Sequence, residues 1–160
     1  MQIREAEEQD FDQIWTIFRQ IVSAGESYAY PQETSKEEAF EIWMKQTQKT
    51  FVCLENEDIL ATYYIKQNQP GAGSHVCNCG YMVAAESRGR GLATLMCEHS
   101  QDTAQKLGYK AMQFNLVLVS NEQAVQLWDN LGFKTVGRIP KAFKHPKLDF
   151  VDALIMYKWF

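Results

Sequence analysis

The sequence predicts an α/β sandwich, a mixed sheet flanked by helices, in one domain spanning residues 1–160. Three observations predict it. Periodic segments follow one another in the order β-α-α-β-β-β-α-β-α-β-β. Residues 110–119 alternate apolar and polar side chains, as a strand with one buried face does. No repeat, linker or low-complexity segment divides the 160 residues, a length that suits one core.

Residues 2–6 read as a short first strand. Phe11, Ile14, Trp15, Phe18, Ile21 and Val22 then stand at helical spacing on one face, and Gly25 is a stop. Glu26-Ser27-Tyr28-Ala29-Tyr30-Pro31 is an aromatic loop without periodicity. Ser35 with Glu38 forms a capping-box pattern that opens a second helix through Ala39, Phe40, Ile42, Trp43 and Met44. Strands follow at 50–54 and 59–65 around the acidic turn 55–58, then a loop at 68–74 with Pro70, Gly71 and Gly73. Residues 75–84 read as a strand. A long helix over 91–107 carries Leu92, Leu95, Met96, Ala104 and Leu107 on one side and ends at Gly108. In 110–119, Met112, Phe114, Leu116 and Leu118 share one face, with Gln113 and Asn115 on the other. Residues 121–130 form a helix with Ala124, Leu127, Trp128 and Leu131 on its stripe. A short strand at 133–137, a basic loop at 141–147 and a final strand at 150–157 complete the chain.

Hydrophobic residues make up 46% and charged residues 22%, too apolar for a disordered chain. The net charge of −4, with both signs interspersed, argues against a nucleic-acid partner but leaves room for a local basic patch and a polyanionic cofactor. The first residues, Met1-Gln2-Ile3-Arg4-Glu5, have no apolar signal core, and no apolar run approaches the ~20 residues needed to cross a bilayer. A cytoplasmic protein without membrane attachment is expected. Cys53, Cys77, Cys79 and Cys97 lack a second cluster at metal-site spacing, so no metal is expected and reduced, packed thiols are. Cys77 and Cys79 also remain open as ligands or reactive thiols.

The most informative segment is Arg88-Gly89-Arg90-Gly91-Leu92-Ala93, between a strand and the long helix. Its glycines let the backbone turn tightly and approach a ligand, and first-turn N–H groups with two arginines suit phosphate oxygens. It is neither a Walker loop nor a dinucleotide fingerprint. One strand and one helix later comes Asn121-Glu122-Gln123-Ala124-Val125-Gln126-Leu127-Trp128-Asp129-Asn130-Leu131-Gly132-Phe133. Together the two segments resemble the GNAT superfamily of acetyl-coenzyme A-dependent N-acetyltransferases. The family's Gln/Arg-x-x-Gly-x-Gly/Ala signature is matched from Arg88 to Ala93. Its later Asn-x-x-Ala-x-x-Leu-Tyr-x-x-x-Gly-Phe pattern is matched except that Trp128 replaces tyrosine.

The resemblance covers nearly the whole chain and implies a largely antiparallel sheet, acetyl-coenzyme A as co-substrate and direct acetyl transfer to an amine. It implies that backbone groups near Met82, Val83 and Ala84 hold the pantetheine arm, and that N–H groups from Gly89 to Ala93 hold the pyrophosphate. Asn121 would flank the arm, and Gly80 marks either a β-bulge or plain packing. Trp128 either orients the thioester sulfur or is a packed aromatic wall; as an indole it is a donor but no general acid. The segments around Asn78 and Asn115 further resemble the subgroup that acetylates azetidine-2-carboxylate, a proline analogue. There such asparagines are implicated in holding the acceptor, so a small amino or imino acid is the expected substrate. Ordinary polar satisfaction between strands is the alternative for both. Glu26, in a loop reminiscent of phosphinothricin acetyltransferases, is either the general base or a solvated carboxylate; Asp152 and a water relay compete with it. Tyr28, Tyr30 and Tyr81 are candidate pocket residues, Tyr81 equally a core residue, His99 a core histidine, and His75 and His145 strand-edge and loop residues. Other amines, among them phosphinothricin-like compounds, polyamines and protein N-termini, are the alternative substrates, and a non-catalytic acyl-coenzyme A sensor is the alternative class. A homodimer is an expectation from relatives, with Trp159 and Phe160 either serving its interface or capping the last strand.

Overall fold

Phe11, Ile14, Ile17, Phe18 and Val22 recur three or four residues apart, so α1 (Phe11–Ala24) buries one stripe and stops at Gly25. Gly25 takes φ +68°, the left-handed conformation that glycine adopts without strain, and its N–H donates to Val22 O. The computed structural model describes residues 1–160. Arg4 of β1 (Gln2–Glu5) forks onto both oxygens of Asp10 at 2.7 and 2.8 Å, tying the strand to the start of α1. The same guanidinium holds the Asp10 carboxyl below its usual range.

The capping box of α2 (Lys36–Phe40) forms as the sequence predicts. Ser35 Oγ accepts from Glu38 N at 3.1 Å and the Glu38 carboxylate accepts from Ser35 N at 2.9 Å. The helix does not stay regular through Met44, however: Glu41–Lys45 is a π-helical turn. That wide turn carries Trp43, fully buried, with its indole N–H donating to Thr62 Oγ1 at 3.0 Å.

Six further strands follow β1: β2 (Lys49–Glu55), β3 (Asp58–Gln67), β4 (Val76–Val83), β5 (Ala111–Leu118), β6 (Lys134–His145) and β7 (Asp149–Trp159). Two further helices are α3 (Leu92–Lys106) and α4 (Glu122–Asn130). The sheet order is β1-β2-β3-β4-β5-β7-β6, antiparallel throughout except between β4 and β5. One core cluster joins α1 and α2 to Val52, Tyr64 and Met82; the other joins α3 and α4 to Tyr63, Cys79, Phe114 and Met156. The sheet is therefore covered on both faces, and the mixed, largely antiparallel sandwich is observed.

Two sequence expectations need correction, and one open alternative is decided. The basic segment 141–147 is not a loop, because β6 continues through it to His145. Its register against β7 shifts between Thr135 and Gly137 and again between Ile139 and Phe143. Pro140, and Lys141 at φ +52°, sit in the second irregularity. An edge strand tolerates both, since its outer groups need no partner. In β5, Asn115 and Leu116 oppose the single residue Ile155, a one-residue bulge. The bulge ends the simple alternation, so Val117 joins Met112 and Phe114 in the helix-side core while Leu116 and Leu118 pack in a separate cluster. Finally, β4 runs against β3 without a register break, so Gly80 marks no bulge. A Cβ there would lie 2.6 Å from the Tyr64 ring, so the glycine makes room for that tyrosine.

At the C-terminus, Phe160 packs against the core and donates its N–H to Lys110 O at 2.9 Å, which caps β7. Trp159 stays exposed beside the His75 ring. No helix is long and apolar enough to cross a membrane.

Candidate active site

β4 and β5 are paired only at Val76–Ala111 and Cys77–Met112 and then part. A parallel pair that separates leaves one side of each strand without a ladder partner. Which groups face the gap follows from the β3–β4 register. Ala84 N donates to Leu60 O and Asn68 N donates to Val76 O, both across hydrogen-bonded positions of that ladder. By the two-residue alternation, Asn78, Gly80, Met82 and Ala84 turn their N–H groups to β3, and Cys79, Tyr81 and Val83 turn theirs to the gap. Of the three residues expected to present backbone there, only Val83 does so through its amide. Met82 and Ala84 spend theirs in the sheet.

Asn78 sits where the strands part. Its side chain is buried, accepts from Tyr64 Oη at 3.0 Å and donates to Gln113 O at 2.9 Å. It thus takes the β5 carbonyl just beyond the last paired residue and holds the vertex of the gap. Tyr28 reaches β4 from the loop after α1 and donates to Tyr81 O at 2.7 Å. Burial raises its phenol far above the usual tyrosine range, so it stays protonated. Its ring stacks on Tyr30 with centroids 5.6 Å apart. On the other face Trp128 spans the gap, 5.1 Å from the Tyr81 ring and 5.0 Å from the Phe114 ring. Its indole N–H donates to no group of the chain. In the turn from β5 to α4, Ser120 has a buried hydroxyl with no partner.

The gap opens at its wide end on the segment from Arg88 to Ala93. Gly89 and Gly91 take φ +77° and +76°, a region closed to most side chains, and a Cβ at either would meet nothing within 4 Å. Both therefore serve the backbone's shape and leave its approach open. Leu92 is buried and anchors the first turn of α3. The N–H groups of Gly89, Arg90, Gly91, Leu92 and Ala93 are spent on no group of the chain, and they lie at the positive end of the helix dipole. Arg88 is exposed and unpaired. Arg90 forks onto Glu55 at 3.0 and 3.1 Å, an exposed pair that a phosphate could outbid at little cost. Asn121 caps α4, its Oδ1 accepting from Ala124 N at 3.2 Å, which leaves its amide N–H groups free.

A cleft of about 680 Å³ lies between the loop containing Tyr28 and Tyr30 and the β6–β7 hairpin. Glu26 bridges its mouth to Lys147 at 3.0 Å, and that ammonium holds the carboxyl below its usual range. A general base works best with a pKa near the working pH, so this pairing suits Glu26 poorly to the task. Asp152 is bound more fully: Lys141 N donates to one oxygen at 2.9 Å and Arg138 Nε to the other at 2.7 Å, both lowering its pKa. His145 is buried, and its Nδ1 accepts the N–H groups of Lys147 and Leu148, shaping the hairpin turn. His99 shares a 2.7 Å hydrogen bond with the Tyr63 hydroxyl, and burial lowers its pKa. All four cysteines are buried and unbridged, and burial pushes the Cys97 thiol up to about 11. No cluster of three potential metal ligands forms.

The acetyltransferase (GNAT) family pattern matches residues 11–133, most of the chain and every element from α1 to α4. The chain belongs to the GNAT acetyltransferase family. A GCN5-related N-acetyltransferase structure from Kribbella flavida is 40% identical, with a TM-score of 0.94 over 99% of this chain and 97% of that one. The N-acetyltransferase aca1 of Schizosaccharomyces pombe is 35% identical over 98 residues, 61% of this chain and 47% of that protein. This chain thus spans about half the length of that curated relative. A phosphinothricin acetyltransferase from Sinorhizobium meliloti, solved with acetyl-coenzyme A, shares the fold at 18% identity, TM-score 0.86, over 99% of this chain and 88% of that one.

In this GNAT chain the residues expected at the site fall into three groups. The cradle, Val83, Tyr28 and Trp128 border the gap. Asn78 and Asn115 lie on the α1–α2 face of the sheet near its vertex, joined through Gln113. Glu26 and Asp152 are engaged elsewhere. Sequence reasoning missed Tyr64, Lys66, Asn68 and Gln113. Tyr64, Lys66 and Asn68 recur every second residue along β3 and its extension, and that alternation was the available signal.

Proposed function

We propose that this chain transfers the acetyl group of acetyl-coenzyme A to the amine of a small amino or imino acid within one ternary complex. The observation that carries the reading is the gap between β4 and β5, whose unspent amides at Cys79, Tyr81 and Val83 lead to the glycine cradle. The N–H groups from Gly89 to Ala93 take the pyrophosphate, with Arg88 beside them. The gap-facing amides of β4 hold the pantetheine arm, and the free amide of Asn121 flanks it from α4. Ser120 Oγ and the Trp128 indole N–H are further donors on that side.

The neutral amine attacks the thioester carbonyl carbon. A C–N bond forms, the C–S bond breaks, and the sulfur keeps its electron pair. A backbone N–H of Tyr81 or Val83 stabilises the charge that gathers on the carbonyl oxygen. The donation from Tyr28 to Tyr81 O holds that stretch of β4 in place. The amine proton leaves through water, because the carboxyls of Glu26, by Lys147, and of Asp152, by the Lys141 N–H and then Arg138, are both held below their usual range. Trp128 supplies a donor to the sulfur and no proton, and coenzyme A is a thiol acidic enough to leave without one. The reading places the enzyme in the cytoplasm.

The test is coenzyme A release with a panel of amino acids, proline analogues, phosphinothricin and polyamines, beside mass analysis of the acceptor. An amino or imino acid in the panel should gain one acetyl group. Asn115→Ala should raise its KM about tenfold, the worth of one lost hydrogen bond to a charged group, with acetyl-coenzyme A affinity unchanged. Tight cofactor binding without turnover of any amino or imino acid would sink the reading.

A further inference from the structure

On the α3–α4 face of the sheet, one ammonium joins the two helices that border the gap. Lys158 of β7 stands opposite Met112 of β5, and Met112 is the last residue that β5 pairs with β4. The lysine therefore lies at the level where the two strands part. It is half-buried and pairs with no carboxylate of the chain. Instead its Nζ donates to Gln101 Oε1 of α3 and, at 2.9 Å, to Leu131 O at the end of α4. Gly132, at φ +92°, makes room for it, since a Cβ there would stand 3.2 Å from Lys158 Cε.

Both ends of this bridge continue to the walls of the gap. On the α4 side, Leu131 N and Phe133 N donate to Trp128 O at 3.2 and 3.0 Å. The carbonyl that Lys158 holds thus belongs to the turn that closes on Trp128. On the α3 side, Gln101 follows Ser100, whose hydroxyl bonds the Tyr81 hydroxyl at 2.7 Å. The Tyr81 and Trp128 rings, 5.1 Å apart, are therefore both tied to the lysine. The last carbonyls of a helix lack intrahelical donors and carry partial negative charge, so a cation suits Leu131 O. An ammonium has three N–H groups, so one side chain serves both helices at once.

We infer that Lys158 is a positioning residue for the cofactor. By bridging α3 and α4 where the gap closes, it sets the spacing between the glycine cradle at the start of α3 and Asn121 and Trp128 on α4. It acts through the two helices and touches no reacting atom. The inference rests on the reading that places coenzyme A in the β4–β5 gap, and adds what holds the two helices at the cofactor's width.

The test measures the dissociation constant of acetyl-coenzyme A by calorimetry on the full chain, well below the melting range of each variant. Lys158→Met keeps the stem and removes the ammonium. It should weaken binding about tenfold, the worth of a lost hydrogen bond to a charged group. Gln101→Met leaves the ammonium on Leu131 O and breaks the bridge from the α3 end, with a similar loss expected. The double variant should bind no more weakly than the worse single one, because two halves of one contact do not add. Lys158→Arg should recover most of the affinity. Ile14→Val, in the α1 core on the other face, controls for lost stability and should bind as wild type does. Wild-type affinity in Lys158→Met and Gln101→Met overturns the inference while leaving the cofactor site intact. Additive losses in the double variant, or no recovery with arginine, overturn it as well. If Lys158→Met does not fold, the affinity of Gln101→Met decides. A wild type that does not bind acetyl-coenzyme A would remove the cofactor from the gap, and the role of Lys158 with it.

Discussion

Replacing Gly91 by alanine is expected to weaken acetyl-coenzyme A binding about 100-fold, measured as a dissociation constant by calorimetry. Gly91 has φ +76°, and the new methyl group would stand in open space on the side from which the phosphates approach. Two amide contacts to a charged group, each worth about tenfold or more, are then lengthened together. The left-handed conformation also costs about 1–2 kcal/mol for any residue with a Cβ. Gly108→Ala separates the two effects. Gly108 closes the far end of α3 at φ +93°, also with nothing within 4 Å of a Cβ. It should lose similar stability and keep wild-type affinity. Equal affinity in both variants would remove the cradle from the cofactor site.

The second large effect is expected at Asn78. Leucine has nearly the shape of asparagine but supplies neither the acceptor for Tyr64 Oη nor the donor for Gln113 O. Each buried polar group left alone costs about 1–3 kcal/mol, so Asn78→Leu should lose about 2–4 kcal/mol. For a chain of this size that lowers Tm by roughly 5–12 °C. Because the vertex positions both walls of the gap, kcat/KM should fall at least about 30-fold even below the melting range, as small misplacements do. A variant that loses stability but keeps full activity would show that the vertex does not position the reaction.

Much of this was legible in the sequence for local reasons. The cradle announces itself because a positive φ at two nearby positions demands glycine, and because the helix start exposes its amides. The Ser35–Glu38 capping box was equally readable, being a contact within one turn. Features set by distant partners were not. The bulge at Asn115 and Leu116 arises from pairing with Ile155, and nothing within β5 signals it. The basic run 141–147 read as a loop, but an edge strand absorbs Pro140, a residue without an N–H, so β6 ran on through the supposed loop. Asn78 was singled out by its place before the cradle and by its flanking segment, yet its bonds run to Tyr64 and Gln113, far apart in the chain. Glu26 and Asp152 looked available because Lys147 and Arg138 meet them only in the folded hairpin. Lys66 was not singled out, since the amides near it come from three strands.

Direct attack on the thioester, without an acetylated protein between the two half-reactions, is the central mechanistic claim. Cys77, Cys79 and Cys97 lie buried among the α3-side core residues, and burial raises the Cys79 and Cys97 thiols, so neither is a ready thiolate. The most direct measurement is therefore initial velocity with acetyl-coenzyme A and a free amino or imino acid acceptor varied together, with intact-protein mass recorded during turnover. Intersecting double-reciprocal lines and an unmodified protein are expected. Parallel lines with a protein one acetyl group heavier would contradict it.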